Sequence, residues 1–169
     1  PYLPYSNLDD YSVCGGEVGA QAKWNNGLGA RITYAYTKEQ LAKDKDGNSI
    51  NNQYIPAREH ALNVRMDYDR QISSNYGLNI GLQGRVLSGV ENVEYKDYYD
   101  VSKGTISVEY PAYTLWKLSL VQRIGKAVKV NAALDNLFGY KPKYYYLNSP
   151  ITDGVTFQIG VSIDIDKFF

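Results

Sequence analysis

The sequence predicts an all-β chain: a segment of an antiparallel, up-and-down transmembrane β-barrel. Three observations lead there. Apolar and polar residues alternate through seven stretches, connections alternate between short and long, and aromatic residues fall into two bands on the apolar face. Successive side chains of a strand point to opposite faces, so alternation means one greasy face and one polar face. Each stretch covers about 9 to 12 residues, the length a tilted strand needs to cross a bilayer.

In chain order, parity gives the apolar face Val18, Ala20, Ala22 and Trp24, then Leu28, Ala30, Ile32, Tyr34 and Tyr36, then Leu62, Val64, Met66 and Tyr68. It continues through Leu78, Ile80, Leu82 and Val86, then Trp116, Leu118 and Leu120, then Val128, Val130, Ala132 and Leu134. The closing stretch has Val155, Phe157, Ile159, Val161, Ile163 and Ile165 on that face, and Thr156, Gln158, Gly160, Ser162 and Asp164 on the other. The charged residues Arg31, Arg65, Asp67, Arg85, Lys117, Arg123, Lys129 and Asp135 all fall on the polar parity, where they would line a barrel lumen.

Short links at Asn25-Asn-Gly27, Ile72-Ser-Ser-Asn75 and Gly125-Lys-Ala127 have the composition of tight turns. The alternate connections, roughly 39–56, 88–112 and 139–154, are much longer. Outer-membrane barrels have short periplasmic turns and longer external loops. On the apolar face Trp24, Tyr68 and Tyr76 adjoin the short turns, whereas Tyr34, Tyr36, Trp116, Phe138 and Phe157 lie toward the long loops. Two aromatic girdles flanking Leu, Ile, Val, Ala and Met fit a lipid-facing surface better than a soluble barrel with its greasy face inward.

Composition excludes other classes. Eighteen basic and eighteen acidic residues give no electrostatic case for a nucleic-acid partner. The single cysteine, Cys14, has no internal disulfide partner and reads as a small apolar strand residue. No apolar run is long enough for a transmembrane helix, and Pro1-Tyr-Leu-Pro-Tyr5 lacks the features of a signal peptide, so a mature chain or a fragment is expected. Bacterial single-chain barrels use even strand numbers; with seven strands, and residues 2–11 reading as the tail of an external loop, the chain is expected to be part of a larger barrel. The lone His60 sits at a strand entrance on the lipid-side parity and reads as structural rather than as a haem ligand. Asp44-Lys-Asp-Gly-Asn48 lacks the spacing and closing glutamate of a calcium loop and reads as a loop tip. No nucleophile and base are suggested by position, so neither catalysis nor a cofactor is expected.

A family resemblance rests on the last third. Val130-Asn-Ala-Ala-Leu-Asp-Asn-Leu-Phe138 runs into Gly139-Tyr-Lys-Pro142, and Ser149-Pro-Ile-Thr-Asp-Gly154 precedes the closing strand. This resembles the carboxy-terminal end of TonB-dependent outer-membrane receptors, with their "(D/E)NLF" motif, tyrosine, proline, and loop ending in glycine. Tyr34-Ala-Tyr-Thr37 and Ile55-Pro-Ala-Arg-Glu-His60 are similar to strand junctions of the same family. The closing strand with terminal Phe169 resembles the assembly signal of outer-membrane barrels, formed here by Phe157, Ile159, Gly160, Val161, Ile163, Ile165 and Phe169; Lys167 departs from it.

The resemblance implies a bacterial outer-membrane receptor whose 22-stranded barrel is filled by an amino-terminal plug. Plug, earlier strands and TonB-binding motif would lie outside residues 1–169, and the partners would be outer-membrane lipid, the plug, the remaining strands, TonB and the barrel assembly machinery. The cargo it implies is a ferric siderophore or haem first, with cobalamin or an oligosaccharide open. Weak candidates for cargo contact are Tyr95, Lys96, Tyr98 and Tyr99 in one long loop, and Lys141, Lys143, Tyr144, Tyr145 and Tyr146 in another. Tyrosine offers a flat ring with a polar tip and lysine attracts anions; packing of the loops on one another is the competing account. A small self-contained barrel serving as adhesin or anchor, and an outer-membrane enzyme, remain open as alternatives.

Overall fold

A computed structural model describes residues 12–40, 57–97, 99–142 and 152–167. Its strands are β1 (Ser12–Lys23), β2 (Leu28–Gln40), β3 (His60–Ser73), β4 (Tyr76–Leu87), β5 (Val90–Tyr95), β6 (Thr105–Tyr110), β7 (Tyr113–Ile124), β8 (Val128–Asp135) and β9 (Thr156–Ile163). Seven form one antiparallel sheet in the order β1-β2-β3-β4-β7-β8-β9, while β5 and β6 pair as a separate ribbon. The sheet is open: β1 and β9 are its edges and are exposed along their whole length.

The register keeps the two expected faces apart. Ile32 lies opposite Val64, Met66 opposite Leu82, and Leu118 opposite both Leu82 and Leu134. On the other face Arg31 lies opposite Arg65, and Gln83 opposite both Arg65 and Lys117. No interior core exists among the described residues; the buried hydrophobic side chains are Leu87 and Tyr110, at the base of the β5–β6 ribbon. Val18, Ile32, Met66, Ile80, Phe157, Ile159 and Val161 are exposed instead. So broad an apolar surface has to be covered by lipid or protein, because left in water it would drive association. On β3, Tyr68 and His60 share a face eight residues apart, which is about 26 Å along the strand and about 20 Å along the normal at a 40° tilt. That approaches the height of the apolar band of a membrane barrel.

The tight turns gather at one end. Gly27 takes φ 95 to close the β1–β2 hairpin, and its carbonyl accepts from the Asp69 amide of β3. Gly125, at φ 61, donates its amide to Asn75 O in the β3–β4 turn, and Asp164 N reaches Ala127 O. The end of β9 therefore lies with the short turns.

Trp116 depends on the glycine opposite it. A Cβ on Gly84 would lie 2.6 Å from the indole ring, which is fixed on its other sides by an Nε1 donation to Thr114 Oγ1 (2.5 Å) and an edge contact with Phe138. Gly84→Ala should force the ring off its seat and cost about 1–3 kcal/mol, the usual range for overpacking. Urea unfolding of the bilayer-inserted protein measures this; unchanged stability would mean the ring moves freely.

The sheet departs from the alternation in four places. The first strand starts at Ser12, well before Val18, because Ser12–Lys23 pairs through to Gln40. The connection at residues 88–112 contains β5 and β6, whose Thr105-Ile-Ser-Val-Glu-Tyr110 alternates like the membrane strands but on a shorter scale. The penultimate strand stops at Asp135 rather than running to Phe138, because Asn136 adopts φ 51. The closing strand ends at Ile163, and the 3-10 turn Ile165–Lys167 breaks the parity that had assigned Ile165 and Lys167 to the apolar face. Residues 2–11, the 44–48 loop tip and Phe169 lie outside the described residues. A self-contained barrel needs its edges to meet, and β1 and β9 do not pair.

Candidate functional site

The polar face carries a hollow of about 880 Å³ that reaches from β2 across β3, β4, β7 and β8 to the start of β9. A single cavity bounded by so many adjacent strands makes the polar face the concave one. Arg31, Arg65, Arg85 and Lys117 line it from β2, β3, β4 and β7; Asp135 and Thr156 line it from β8 and β9, and Thr152 and Asp153 from the segment leading into β9.

Its charges are unevenly matched. Lys117 Nζ donates to Asp135 Oδ2 at 3.1 Å, and Arg65 Nε lies 3.6 Å from Asp67 Oδ1. Arg31 and Arg85 have no ion pair among the described residues. Nearer the short turns the matching is closer: Arg123 Nη2 donates to Asp69 Oδ1 at 2.6 Å, while Lys129, opposite Arg123, is exposed.

At the long-loop end two residues hold the connections in place. Arg58 donates from Nη1 to Ser88 O and to Pro111 O (2.9 Å), tying both stems of the β5–β6 ribbon to the start of β3. Its guanidinium lies 4.7 Å from the Tyr113 ring centroid, and Tyr113 stacks on Tyr140 at 5.1 Å. Asn136 is buried; its Nδ2 donates to Tyr140 O (2.8 Å) and Thr152 Oγ1 (2.9 Å), and its Oδ1 accepts from Tyr140 N (2.9 Å). One amide thus joins the two ends of the last connection. Arg58 belongs to the stretch that opens β3 and Asn136 to the Asp-Asn-Leu-Phe run, but a buried, hydrogen-bonded amide is visible only once the chain is folded.

Of the lumen-side residues named from parity, the fold brings Arg31, Arg65, Arg85, Lys117 and Asp135 to one hollow, with Asp67 beside them, and leaves Arg123 and Lys129 below it. The described loop residues do not join that site. Tyr95, Lys96 and Tyr99 sit at the tip of the β5–β6 ribbon, with Tyr99 96% exposed. The ribbon tip is ordered by Asp97, which accepts from Lys103 Nζ at 2.5 Å and from the Tyr99 amide; these bonds hold its carboxyl below the usual carboxylate range. Lys141 is exposed and does not line the hollow. Tyr98, Lys143, Tyr144, Tyr145 and Tyr146 lie outside the described residues. His60 faces away from the hollow: it shares a 2.7 Å hydrogen bond with Tyr34 OH through Nδ1 and packs against Tyr36. No group of three or more His, Cys, Asp or Glu suited to a metal ion occurs among the described residues.

Residues 1–137 match the family described as TonB dependent receptor-like, beta-barrel. The chain belongs to this TonB-dependent receptor family. Within the family's barrel, the open seven-stranded sheet is a partial wall. A solved structure, the FrpB iron transporter from Neisseria meningitidis (F3-3 variant), is similar over 90% of this chain and 23% of its own length, with a TM-score of 0.61 and 19% identity. At that identity the likeness concerns the fold. The chain spans about a quarter of the length of that transporter. No curated protein matches the chain by sequence.

Proposed function

We propose that the chain forms the carboxy-terminal part of the wall and external loops of a bacterial outer-membrane receptor that imports a scarce nutrient. The observation that carries this reading is the two-faced sheet: an exposed apolar side with aromatic bands, and a concave side with a charged hollow. Family membership supports it, and the fold shared with an iron transporter favours ferric siderophore or haem as cargo over cobalamin or an oligosaccharide. In this reading the receptor's plug fills the hollow and TonB pulls on the plug to open a path along it. The exposed row Phe157, Ile159, Val161 and Ile163 of β9, with Phe169 beyond it, serves recognition by the barrel assembly machinery. The barrel holds no catalytic role.

Cys14 offers a test of orientation. It lies opposite Lys38, beyond Tyr36 at the long-loop end, and it is exposed. A membrane-impermeant maleimide should label Cys14 on intact cells, whereas Asn26→Cys in a short turn, with Cys14→Ser in the background, should label only after permeabilisation. The reverse pattern would refute the topology. Cargo is tested separately: loss of the receptor should slow growth under iron limitation, and equal growth with and without it would remove iron from the reading.

A further inference from the structure

We propose that Arg31, Arg65 and Arg85 form a binding site for one multivalent oxyanion, of carboxylate or phosphate chemistry, on the wall of the hollow. The assignment rests on the concave face being the lumen wall of a receptor. Arg31 and Arg65 are direct cross-strand partners. Side chains so paired start about 4.5–5.5 Å apart at Cβ, and like charges in that relation destabilise a sheet. Arg85 stands two residues beyond Gln83, the partner of Arg65, which makes it a diagonal neighbour at about 7–8 Å on the same face. Three arginines therefore spring from one stretch of wall.

Their surroundings neutralise them only in part. The outer cross-strand neighbours in the same register row are amides, with Gln21 opposite Arg31 and Gln83 opposite Arg65. Asp67 reaches Arg65 alone, at 3.6 Å, and Asp135 is engaged by Lys117. Elsewhere Arg123 is matched by Asp69, Lys103 by Asp97 and Lys38 by Glu59, whereas Arg31 and Arg85 have no ion pair among the described residues. What sets the three arginines apart is their crowding on one register, at a place where a concave wall concentrates their field. Guanidinium forks bind carboxylate and phosphate oxygens through paired hydrogen bonds, which a lysine cluster does not reproduce. The hollow, at about 880 Å³, is within the range that takes a small organic ligand.

The oxyanion has two possible sources, a free solute or the carboxylates of a polypeptide segment seated in the hollow. Pyrophosphate separates them as a probe of the intact, detergent-solubilised receptor. If the source is a solute, pyrophosphate binds saturably, raises the melting temperature, and binds at least tenfold more weakly to the Arg31→Gln/Arg85→Gln variant; Lys126→Gln, in a short turn, binds as the parent does. If a segment already occupies the site, pyrophosphate has no effect, the double glutamine variant melts lower, and Arg31→Lys/Arg85→Lys melts between the two. Either pattern supports the site. Pyrophosphate binding of equal strength to parent and double glutamine variant overturns it. So does the absence of any pyrophosphate effect together with a variant that melts at or above the parent temperature. Failure here leaves the topology intact, because the Cys14 labelling test does not involve the arginines.

Discussion

Arginine in place of Ile80 should destabilise the membrane-inserted sheet by about 2–4 kcal/mol, the cost of a cation on the lipid face near the bilayer midplane. Ile80 lies mid-way along β4, four residues from Tyr76 and six from Val86, and it is exposed because it faces outward from the sheet. Its neighbours in the register are Tyr68 and Leu120, neither of which carries a carboxylate to receive the charge. The effect corresponds to roughly 30- to 700-fold in the folding equilibrium. Asn131→Arg is the matched control: Asn131 lies opposite Val121 on the polar parity and is exposed to the concave side. That change should stay within about 0.5 kcal/mol, as surface substitutions do. Urea titration of both variants in lipid vesicles decides the matter. Equal costs for the two faces would mean that the apolar face does not meet lipid.

Removing the Asn136 side chain should cost about 2–4 kcal/mol, since three hydrogen bonds at a buried site are lost and the Tyr140 amide is left unpaired. Backbone adds to this. Asn136 holds φ 51, a conformation that asparagine tolerates and alanine resists by about 1–2 kcal/mol. Asn136→Gly separates the two contributions: it relieves the backbone but restores no hydrogen bond, so it should recover about 1 kcal/mol relative to Asn136→Ala. Both variants should also release the last connection to protease while the β1–β4 hairpins stay protected. If Asn136→Ala melts like the parent and its last connection remains protected, the side chain is not the clamp described.

How much of this was legible in the sequence depends on the range of the interaction. Alternation assigned Val64, Leu82, Leu118 and Arg65 to their faces correctly because side-chain direction in a strand is a local property that needs no partner. Strand ends were less legible. Asp135 and Ile163 end β8 and β9 where a left-handed Asn136 and a 3-10 turn intervene, and neither breaks the apolar pattern on which the longer strands were inferred. The β5–β6 ribbon was hidden by its position in a long connection, although Ile106, Val108 and Tyr110 alternate there as clearly as in the sheet.

By itself the sequence determined which residues share the apolar face and which the polar face, that the strands run as consecutive hairpins, and which end carries the long loops. These follow from a period of two and from turn chemistry, both properties of neighbouring residues. Only the tertiary structure decided that Arg31 meets Arg65, that Asp135 takes Lys117 and leaves the arginines less well matched, and that Arg58 and Asn136 fasten the long connections. Those outcomes depend on register between strands and on contacts between residues far apart in the chain. A shift of two residues in one pairing would keep every apolar residue on its face while giving the cations different partners.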